Sequence, residues 1–259
     1  MEFLDRVIRD GCPLVYAWFE AMHTRIDMVL WDEMLSEDDL HEACECISQE
    51  TVRIENMASR FIPDSELALF NSCPPGLPFG LSDEMYSILE RCIIYNSSTG
   101  GLFDIDAFSG INDVPLDGRI LLSGDCKTAV RTDERVMLDL SGFLKGYALD
   151  KAAVILRNRG VSNALVSFGN SSVYASGNHP GGDGWPVAAS DDISASYILR
   201  DEFLTTSGNS SDRRVHIINP VTGAFVTGKG MVSVITSSGE EGEVRSIEAF
   251  LKNDIETNS

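Results

Sequence analysis

The segment Asp139-Leu-Ser-Gly-Phe-Leu-Lys-Gly-Tyr-Ala-Leu-Asp150 carries the most specific information in this sequence. It places Lys145 and Gly146 between two aspartates, where a short strand or turn is expected to run into a helix. A lysine–glycine pair at a helix start suits a phosphate group, because glycine lets the backbone approach and lysine adds a positive charge. A lysine at a helix start is also common on a solvated surface, so this segment alone leaves both interpretations open.

The composition is that of a folded, strongly acidic protein. With 259 residues, 43% of them hydrophobic and 23% charged, the chain is long enough for one large domain or two tightly joined lobes. Its 40 acidic and 20 basic residues give a formal net charge of −20, which argues against nucleic acid and anionic membranes as partners. Any phosphate ligand therefore needs backbone amides, a local lysine or a divalent cation to offset the repulsion.

No stretch of the sequence has the length and apolar character of a membrane-spanning helix, and the first residues lack the apolar region of a signal peptide. The sequence as given therefore predicts a cytoplasmic protein; the alternative is an exported or membrane-anchored one from which a leader was removed. The spacing of the six cysteines fits neither a zinc site nor a disulfide framework, which predicts reduced thiols.

Hydrophobic periodicity predicts a mixture of helices and strands. A β-hairpin is expected over residues 14–31, and helices over about 37–57, 82–98, 145–159 and 243–252. Strands are expected at residues 163–168, 203–207, 215–218, 224–226 and 231–236. Residues 102–138 are expected to be loops and short strands, and residues 169–185 to be rich in turns. The absence of a regular βαβ rhythm favours an α+β fold, and the lack of a clear linker predicts a single domain over residues 1–259.

Five polar clusters occur in a defined order along the chain. They are Ala21-Met-His-Thr24; Ser59-Arg-Phe61 with Ser65-Glu-Leu67 and Asn71; Thr99-Gly-Gly-Leu-Phe-Asp104; Asp139 to Asp150; and His216-Ile-Ile-Asn-Pro-Val-Thr-Gly223. Together, over about residues 15–251, they resemble the ApbE family, the FAD:protein FMN transferases. The resemblance implies two closely joined lobes with a mainly antiparallel sheet and packed helices.

The same resemblance implies a chemistry. Family members bind FAD in a cleft between two lobes, with Mg²⁺ at the diphosphate, and transfer the FMN moiety to a threonine hydroxyl of a partner protein, releasing AMP. Some members hydrolyse FAD, with water as the acceptor. For this chain the expected partners are therefore FAD and an acceptor protein that carries a target threonine.

The clusters also supply candidate site residues. By resemblance, those expected to bind FAD are Met22, Thr24, Glu66, Asp104, Lys145, Gly146, Asp150, Gly169 and His216. Lys145 and His216 are the candidate catalytic residues, since Lys145 adds charge at the diphosphate and His216 can hydrogen-bond the flavin ring or assist proton transfer from the attacking hydroxyl. Phe103, next to Asp104, is equally compatible with core packing.

The metal site departs from the family pattern. The resemblance implies a backbone carbonyl ligand near Gly142, and it places Glu243 and Ile247 where the family has an aspartate and a threonine. Glutamate keeps the charge, but isoleucine removes an oxygen ligand, and Mg²⁺ demands near-octahedral oxygen coordination. Arg245 lies close enough in sequence to substitute for the metal's charge.

Three further family positions differ, with His23 and Asn170 in place of glycines and Asn219 in place of an aspartate. The leading hypothesis is Mg²⁺-dependent FMN transfer or FAD hydrolysis. The alternatives are a flavin-binding or scaffold protein that has lost catalysis, and an unrelated α+β domain.

Overall fold

The structure is a computed structural model that describes residues 1–8, 11–188, 196–209, 217–228 and 230–258. The chain divides into two compact units. The first unit comprises Met1–Glu55, Phe143–Ser207 and Ser233–Ser246, and the second comprises Asn56–Gly142, Gly208–Val232 and Ile247–Ser259. The prediction of a single domain stays a prediction.

Helices and strands are mixed along the whole chain. In order, the strands are β1 (Glu2–Val7), β2 (Pro13–Ala21), β3 (Thr24–Trp31), β4 (Phe79–Gly80), β5 (Ile120–Ser123), β6 (Thr128–Arg131), β7 (Asn163–Phe168), β8 (Ser172–Ser176), β9 (Trp185–Ala188), β10 (Ser196–Leu199), β11 (Glu202–Asn209), β12 (Ile218–Asn219), β13 (Ala224–Phe225) and β14 (Gly230–Thr236). The helices are α1 (Glu37–Ala58), α2 (Glu66–Ser72), α3 (Asp83–Ser98), α4 (Leu116–Arg119), α5 (Leu144–Asn158) and α6 (Gly239–Asn258).

A sheet in the order β1-β2-β3-β7-β8-β11-β14 forms the framework of the first unit. From β1 to β11 its neighbouring strands pair antiparallel, as the family resemblance implies. In β3 the buried residues alternate with partly exposed ones, and Ile26, Met28 and Leu30 lie opposite Phe168, Val166 and Ala164 of β7. All six are fully buried, so one face of this sheet is the core that fixes the ends of β3 and β7.

The second unit contains α2, α3, α4 and a small sheet in the order β4-β6-β5. Helix α3 begins as its sequence predicts, because the Ser82 side chain accepts a hydrogen bond from the Met85 N–H. A separate apolar cluster contains Leu102, Val226, Phe250 and Leu251.

The predicted elements with strong periodicity are confirmed. The hairpin is β2–β3, and the predicted helices at 37–57, 82–98 and 145–159 are α1, α3 and α5 with ends shifted by one residue or less. Ser36 and Asp39 form a reciprocal cap at the start of α1: the Ser36 N–H donates to the Asp39 carboxylate at 2.9 Å, and the Asp39 N–H donates to the Ser36 hydroxyl at 3.2 Å. The α+β fold class is therefore correct.

Other elements were predicted wrongly or not at all. Residues 169–185, which were expected to be rich in turns, also contain the strand β8, which was missed. This strand carries four consecutive buried residues, so the sequence lacks the alternation that marks a half-exposed strand. Strands β1, β9 and β10 and helix α2 were missed because they are short or lack a clear apolar face. Helix α6 begins four residues before the predicted start, at Gly239.

Within the described ranges, none of the helices has the length and apolar character needed to cross a membrane. The six cysteines all lie in the described ranges and form no disulfide; Cys44 and Cys92 are buried and Cys126 is exposed. The strand predicted at 215–218 falls partly on residues outside the described ranges, and β12 begins at Ile218.

Candidate functional site

The first turn of α5 presents Lys145 and Gly146. Phe143, the residue that precedes the helix, makes no side-chain cap, so the first backbone N–H groups need partners from elsewhere. The Lys145 ammonium donates a hydrogen bond of 2.5 Å to the hydroxyl of Ser171, in the turn that links β7 to β8. The lysine is half-buried and fixed by this contact, which is unlike the freely solvated side chain of the alternative interpretation.

Glu243, in the first part of α6, is one of the buried carboxylates of the first unit, with 4% of its surface exposed. Its Oε1 atom accepts a hydrogen bond of 2.5 Å from the hydroxyl of Ser172, and its carboxylate also accepts one from the Gly146 N–H. Burial raises the pKa of Glu243, while the positive charge of Lys145 and these two hydrogen bonds act in the opposite direction. The Gly146 N–H, which was expected to bind a phosphate, thus donates to the Glu243 carboxylate.

Gly146 is required by packing. A Cβ atom at this position would lie 2.1 Å from the carbonyl oxygen of Gly239 and 2.7 Å from Cγ of Glu243. Both distances are far below contact, so any side chain here would displace α6 from α5. Gly146 was predicted to let a ligand approach the backbone, and in the structure it lets α6 pack closely on α5. Its role in FAD binding stays a prediction.

Asp150, one turn further along α5, supports the start of α6. Its carboxylate accepts hydrogen bonds from the Gly239 N–H at 2.8 Å, the Glu240 N–H at 2.9 Å and the Ser238 hydroxyl at 3.1 Å. These are first-turn donors that would otherwise lack partners, so the aspartate acts as a helix cap supplied from another helix. Its predicted contact with a ligand hydroxyl remains a prediction.

Thr24 and Gly169 meet at one end of β3. Gly169 has φ of +61°, and a Cβ atom there would lie 2.1 Å from Oγ1 of Thr24. The glycine is thus required both by its backbone conformation and by the threonine beside it. The two predicted positions are 145 residues apart in sequence (169 − 24), and the structure brings them into contact.

The β2–β3 turn carries Met22 and His23. Both residues have positive φ, of 51° and 55°, which is the geometry of a tight hairpin turn. The Met22 N–H donates to the carboxylate of Glu55 on α1 at 2.9 Å. His23 therefore stands in a conformation that glycine adopts without strain, and its side chain is exposed.

In the second unit, Glu66 and Asp104 are both engaged with neighbouring protein groups. The Glu66 carboxylate accepts hydrogen bonds from the Ser82 N–H at 2.5 Å and the Ser82 hydroxyl at 2.7 Å, which supports the start of α3. Asp104 accepts a charged hydrogen bond of 2.5 Å from Arg119. Their predicted roles in FAD binding stay predictions.

Arg119 is a residue that the sequence reasoning missed. Its guanidinium bridges Asp104 and the fully buried Asp106, which it contacts at 2.7 Å. Burial raises the pKa of Asp106, against the hydrogen bond from the Met137 N–H and the charge of Arg119. Phe103 is 2% exposed, in agreement with core packing rather than an exposed role.

Gly142 and Ile247 also lie in the second unit. A Cβ atom on Gly142 would lie 3.3 Å from Cδ1 of Ile247, so an apolar methyl group packs against this backbone. Asn219 uses its side-chain oxygen to accept a hydrogen bond of 3.0 Å from the Val221 N–H, an ordinary turn contact. His216 lies outside the described residues, so its predicted catalytic role is neither supported nor opposed.

The residues that the family resemblance assigns to Mg²⁺ do not fit a magnesium site. The Glu243 carboxylate accepts hydrogen bonds from the Ser172 hydroxyl and the Gly146 N–H, and it lies near the positive charge of Lys145. Ile247 presents a methyl group to Gly142 where an oxygen ligand is expected. Mg²⁺ needs several oxygen ligands in near-octahedral geometry, and these side chains supply one carboxylate that is already paired.

A different group of potential ligands lies on the surface of the first unit. In the described part of the chain, Asp5, Glu37 and His41 are the group of three such side chains whose ligand atoms come within 4.8 Å of one another. His41 forms a 2.7 Å hydrogen-bonded pair with Asp5 and stacks on the Phe3 ring. These contacts give Asp5 and His41 protein partners within the group.

Comparison with known proteins identifies the family. A sequence model described as "ApbE family" matches residues 22–113 and 107–256, which together span most of the chain. The chain belongs to the ApbE family. The resemblance inferred from the five polar clusters is therefore confirmed.

Two curated relatives bear the name FAD:protein FMN transferase. The one from Vibrio cholerae is 25% identical over 215 residues, which cover 70% of this chain and 64% of that protein. The one from Chlamydia muridarum is 26% identical over 234 residues, covering 79% of this chain and 73% of that protein. The chain thus spans somewhat under two thirds of the first relative and somewhat more of the second.

Solved ApbE structures share the fold. The ApbE protein of Thermotoga maritima matches with a TM-score of 0.81 and 20% identity, over 95% of this chain and 89% of that one. The flavin transferase ApbE of Vibrio cholerae matches with a TM-score of 0.76 and 20% identity, over 92% and 86% of the two chains. At these identities the likeness establishes the mixed helical and mainly antiparallel architecture.

Proposed function

We propose that this chain binds FAD and transfers its FMN moiety to a threonine of a partner protein, with release of AMP. When water takes the place of the threonine, the same reaction hydrolyses FAD to FMN and AMP. Membership of the ApbE family and the names of the relatives support this assignment. The cytoplasmic location expected from the sequence as given stays a prediction.

The observation that carries the proposal is the contact, within the first unit, between Thr24 and Gly169, two candidate FAD-binding residues that lie far apart in the sequence. Thr24 contacts Gly169, Lys145 contacts Ser171, and Gly146 and Asp150 both contact the start of α6. Thr24, Lys145, Gly146, Asp150 and Gly169 are all candidate FAD-binding residues, and all five lie in the first unit. An unrelated domain with chance matches has no reason to assemble them.

The proposed reaction makes and breaks one bond to phosphorus. The threonine oxygen attacks the phosphorus of the FMN half, and the bond from that phosphorus to the bridging oxygen breaks, so AMP leaves with the bridging oxygen. Lys145 stabilises the charge that develops on the diphosphate. The hydroxyl proton needs a base, for which His216 is the candidate from the sequence.

The sequence resemblance also predicts dependence on Mg²⁺. Because Glu243 and Ile247 do not fit a magnesium site, no step of the proposed reaction passes through the metal.

The proposal is tested by incubating the purified protein with FAD and following AMP and FMN by chromatography. The incubation is run without an acceptor, with a threonine-bearing acceptor protein, and with that acceptor after threonine-to-alanine substitution. We expect AMP in step with covalent flavin on the threonine acceptor and none on the alanine version. AMP no faster than in a protein-free control, in every arm, would remove the transferase assignment.

A second candidate is a flavin-binding protein without catalysis. The replacement of a ligand oxygen by the methyl group of Ile247, packed on Gly142, favours it. The same incubation separates the two functions, because this candidate binds FAD, as seen by quenching of flavin fluorescence, and releases no AMP.

A further inference from the structure

Two consecutive serines tie a lysine to a carboxylate in the first unit. The Lys145 ammonium donates to the hydroxyl of Ser171, and the hydroxyl of the next residue, Ser172, donates to Glu243, both at 2.5 Å. Ser172 is fully buried, and Glu243 nearly so. We call these four side chains the Lys145–Glu243 network.

The network places two hydrogen-bond donors and a positive charge beside the Glu243 carboxylate, where a metal ion would have to bind. Besides the Ser172 hydroxyl, its carboxylate accepts the Gly146 N–H, and its Cγ packs directly on Gly146. A divalent cation would have to displace these donors and approach the ammonium of Lys145, which repels it.

The same network prepares Lys145 to bind an anion. An ammonium group has three N–H donors, and the hydrogen bond to Ser171 uses one of them. The side chain is half-buried and held in place, so less conformational entropy is lost when it binds a phosphate than for a solvated lysine. Glu243 keeps the local charge balanced in a chain that is otherwise strongly acidic.

We propose that Lys145, held by the Lys145–Glu243 network, takes the place of the divalent cation in this chain, which therefore binds the diphosphate of FAD without Mg²⁺. The inference rests on the proposed function, since it concerns how that same ligand is held. It departs from the metal dependence that the family resemblance implies.

The first test compares FAD affinity with excess Mg²⁺ and with EDTA, measured by flavin fluorescence. We expect the dissociation constant to change by less than about twofold, because no ion bridges the ligand and the protein. Binding weakened by EDTA more than about tenfold would overturn the inference while leaving the proposed function intact. Absence of FAD binding under both conditions would instead remove the proposed function, and the inference with it.

The second test measures Mn²⁺ binding to the ligand-free protein by electron paramagnetic resonance, with Mn²⁺ as the probe for Mg²⁺. It compares two proteins, the His41→Ala variant and the His41→Ala, Glu243→Gln double variant. His41→Ala removes one potential metal ligand from the surface group of Asp5, Glu37 and His41. We expect the same Mn²⁺ binding in both proteins. Loss of one bound Mn²⁺ in Glu243→Gln would overturn the inference whether or not FAD binds.

The third test removes the lysine. We expect Lys145→Met to weaken FAD binding about tenfold or more, equally with Mg²⁺ and with EDTA, because a charged hydrogen bond to the diphosphate is lost. Lys252→Met is the matched control, since Lys252 is exposed and pairs with Glu248 on α6. A Lys145→Met protein that is folded by circular dichroism and binds FAD like the wild type would overturn the inference.

Discussion

The side chain of Thr24 occupies the space beside Gly169, so the identity of each residue restricts the other. The glycine turns the chain after β7 with a positive φ, and the space that a side chain would need is filled by the threonine hydroxyl. A sequence can suggest each residue from a family pattern. It cannot show that they touch, because their contact depends on the register between β3 and β7.

We predict that Gly169→Ala lowers the free energy of unfolding by about 2–4 kcal/mol, from backbone strain plus the overlap with Thr24. The measurement is urea denaturation followed by circular dichroism. Gly160→Ala is the matched control, because Gly160 has φ of +75° but open space around it, and should cost only about 1 kcal/mol. Equal losses in the two variants would show that the Thr24 contact contributes nothing.

Two buried threonines test how much a hydrogen bond from a buried hydroxyl contributes to the free energy of unfolding. Thr205 Oγ1 is buried without a hydrogen-bond partner, whereas Thr51 Oγ1 donates to the Ile47 carbonyl at 2.8 Å. We predict that Thr205→Val raises the free energy of unfolding by about 1 kcal/mol and that Thr51→Val lowers it by about the same amount. Chemical denaturation of both variants checks the signs, and a loss in Thr205→Val would contradict the first.

At the scale of elements, the start of α6 depends on α5. The residues before Glu243 include two glycines, which disfavour a helix, and the sequence alone therefore predicted a later start. The Asp150 carboxylate supplies the missing partners for the first N–H groups, so the helix begins at Gly239. A tertiary contact overrides local propensity here.

We predict that Asp150→Asn lowers the free energy of unfolding by about 1–2 kcal/mol, because the amide oxygen is uncharged and the amide nitrogen cannot accept from an N–H. Hydrogen exchange should show faster opening of the first turn of α6 than in the wild type. Asp38→Asn, an exposed first-turn residue of α1, is the control and should change stability by less than about 0.5 kcal/mol. Unchanged exchange in Asp150→Asn would refute the proposed cap.

Sequence analysis predicted best where one face of an element is buried. The periodicity of α1, α3, α5 and the β2–β3 hairpin fixed their type and nearly their ends. It failed for β8, which is buried on both faces, and for β1, which lies at the sheet edge with mostly exposed side chains. In both cases the apolar pattern that defines a strand is absent.

At the scale of the whole molecule, burial separates the six thiols into classes. Burial raises the pKa of Cys44 to about 12, and Cys92 is also buried, whereas Cys126 is exposed. We predict that a thiol reagent at mildly alkaline pH labels Cys126 at once and labels Cys44 and Cys92 only after unfolding, because the thiolate is the reactive form.

Mass spectrometry of the labelled peptides gives the rate at each cysteine. Cys126→Ser should remove the fast phase and leave the slow ones unchanged. If Cys44 in the native protein were labelled as fast as Cys126, this would contradict the burial of Cys44 on α1.

The candidate site could be predicted only in part from the sequence. The ordered clusters identified the family and Lys145, and the family resemblance added Gly169, since these depend on residue identity. The partners Ser171, Ser172 and Arg119 carried no signal of their own, because serine and arginine are ordinary in turns and on surfaces. Their importance comes from hydrogen bonds to residues distant in sequence, such as Ser172 to Glu243, 71 positions apart.

The capping of α6 by Asp150 has a consequence for how the protein is made. Its donors at Ser238, Gly239 and Glu240 are 88 to 90 positions further along the chain. A ribosome adds about 5–20 residues each second, so α5 emerges several seconds before these partners. During that interval Asp150 and Gly146 lack the residues of α6 that they contact in the folded chain, so these contacts form only after residues 238–240 have been made.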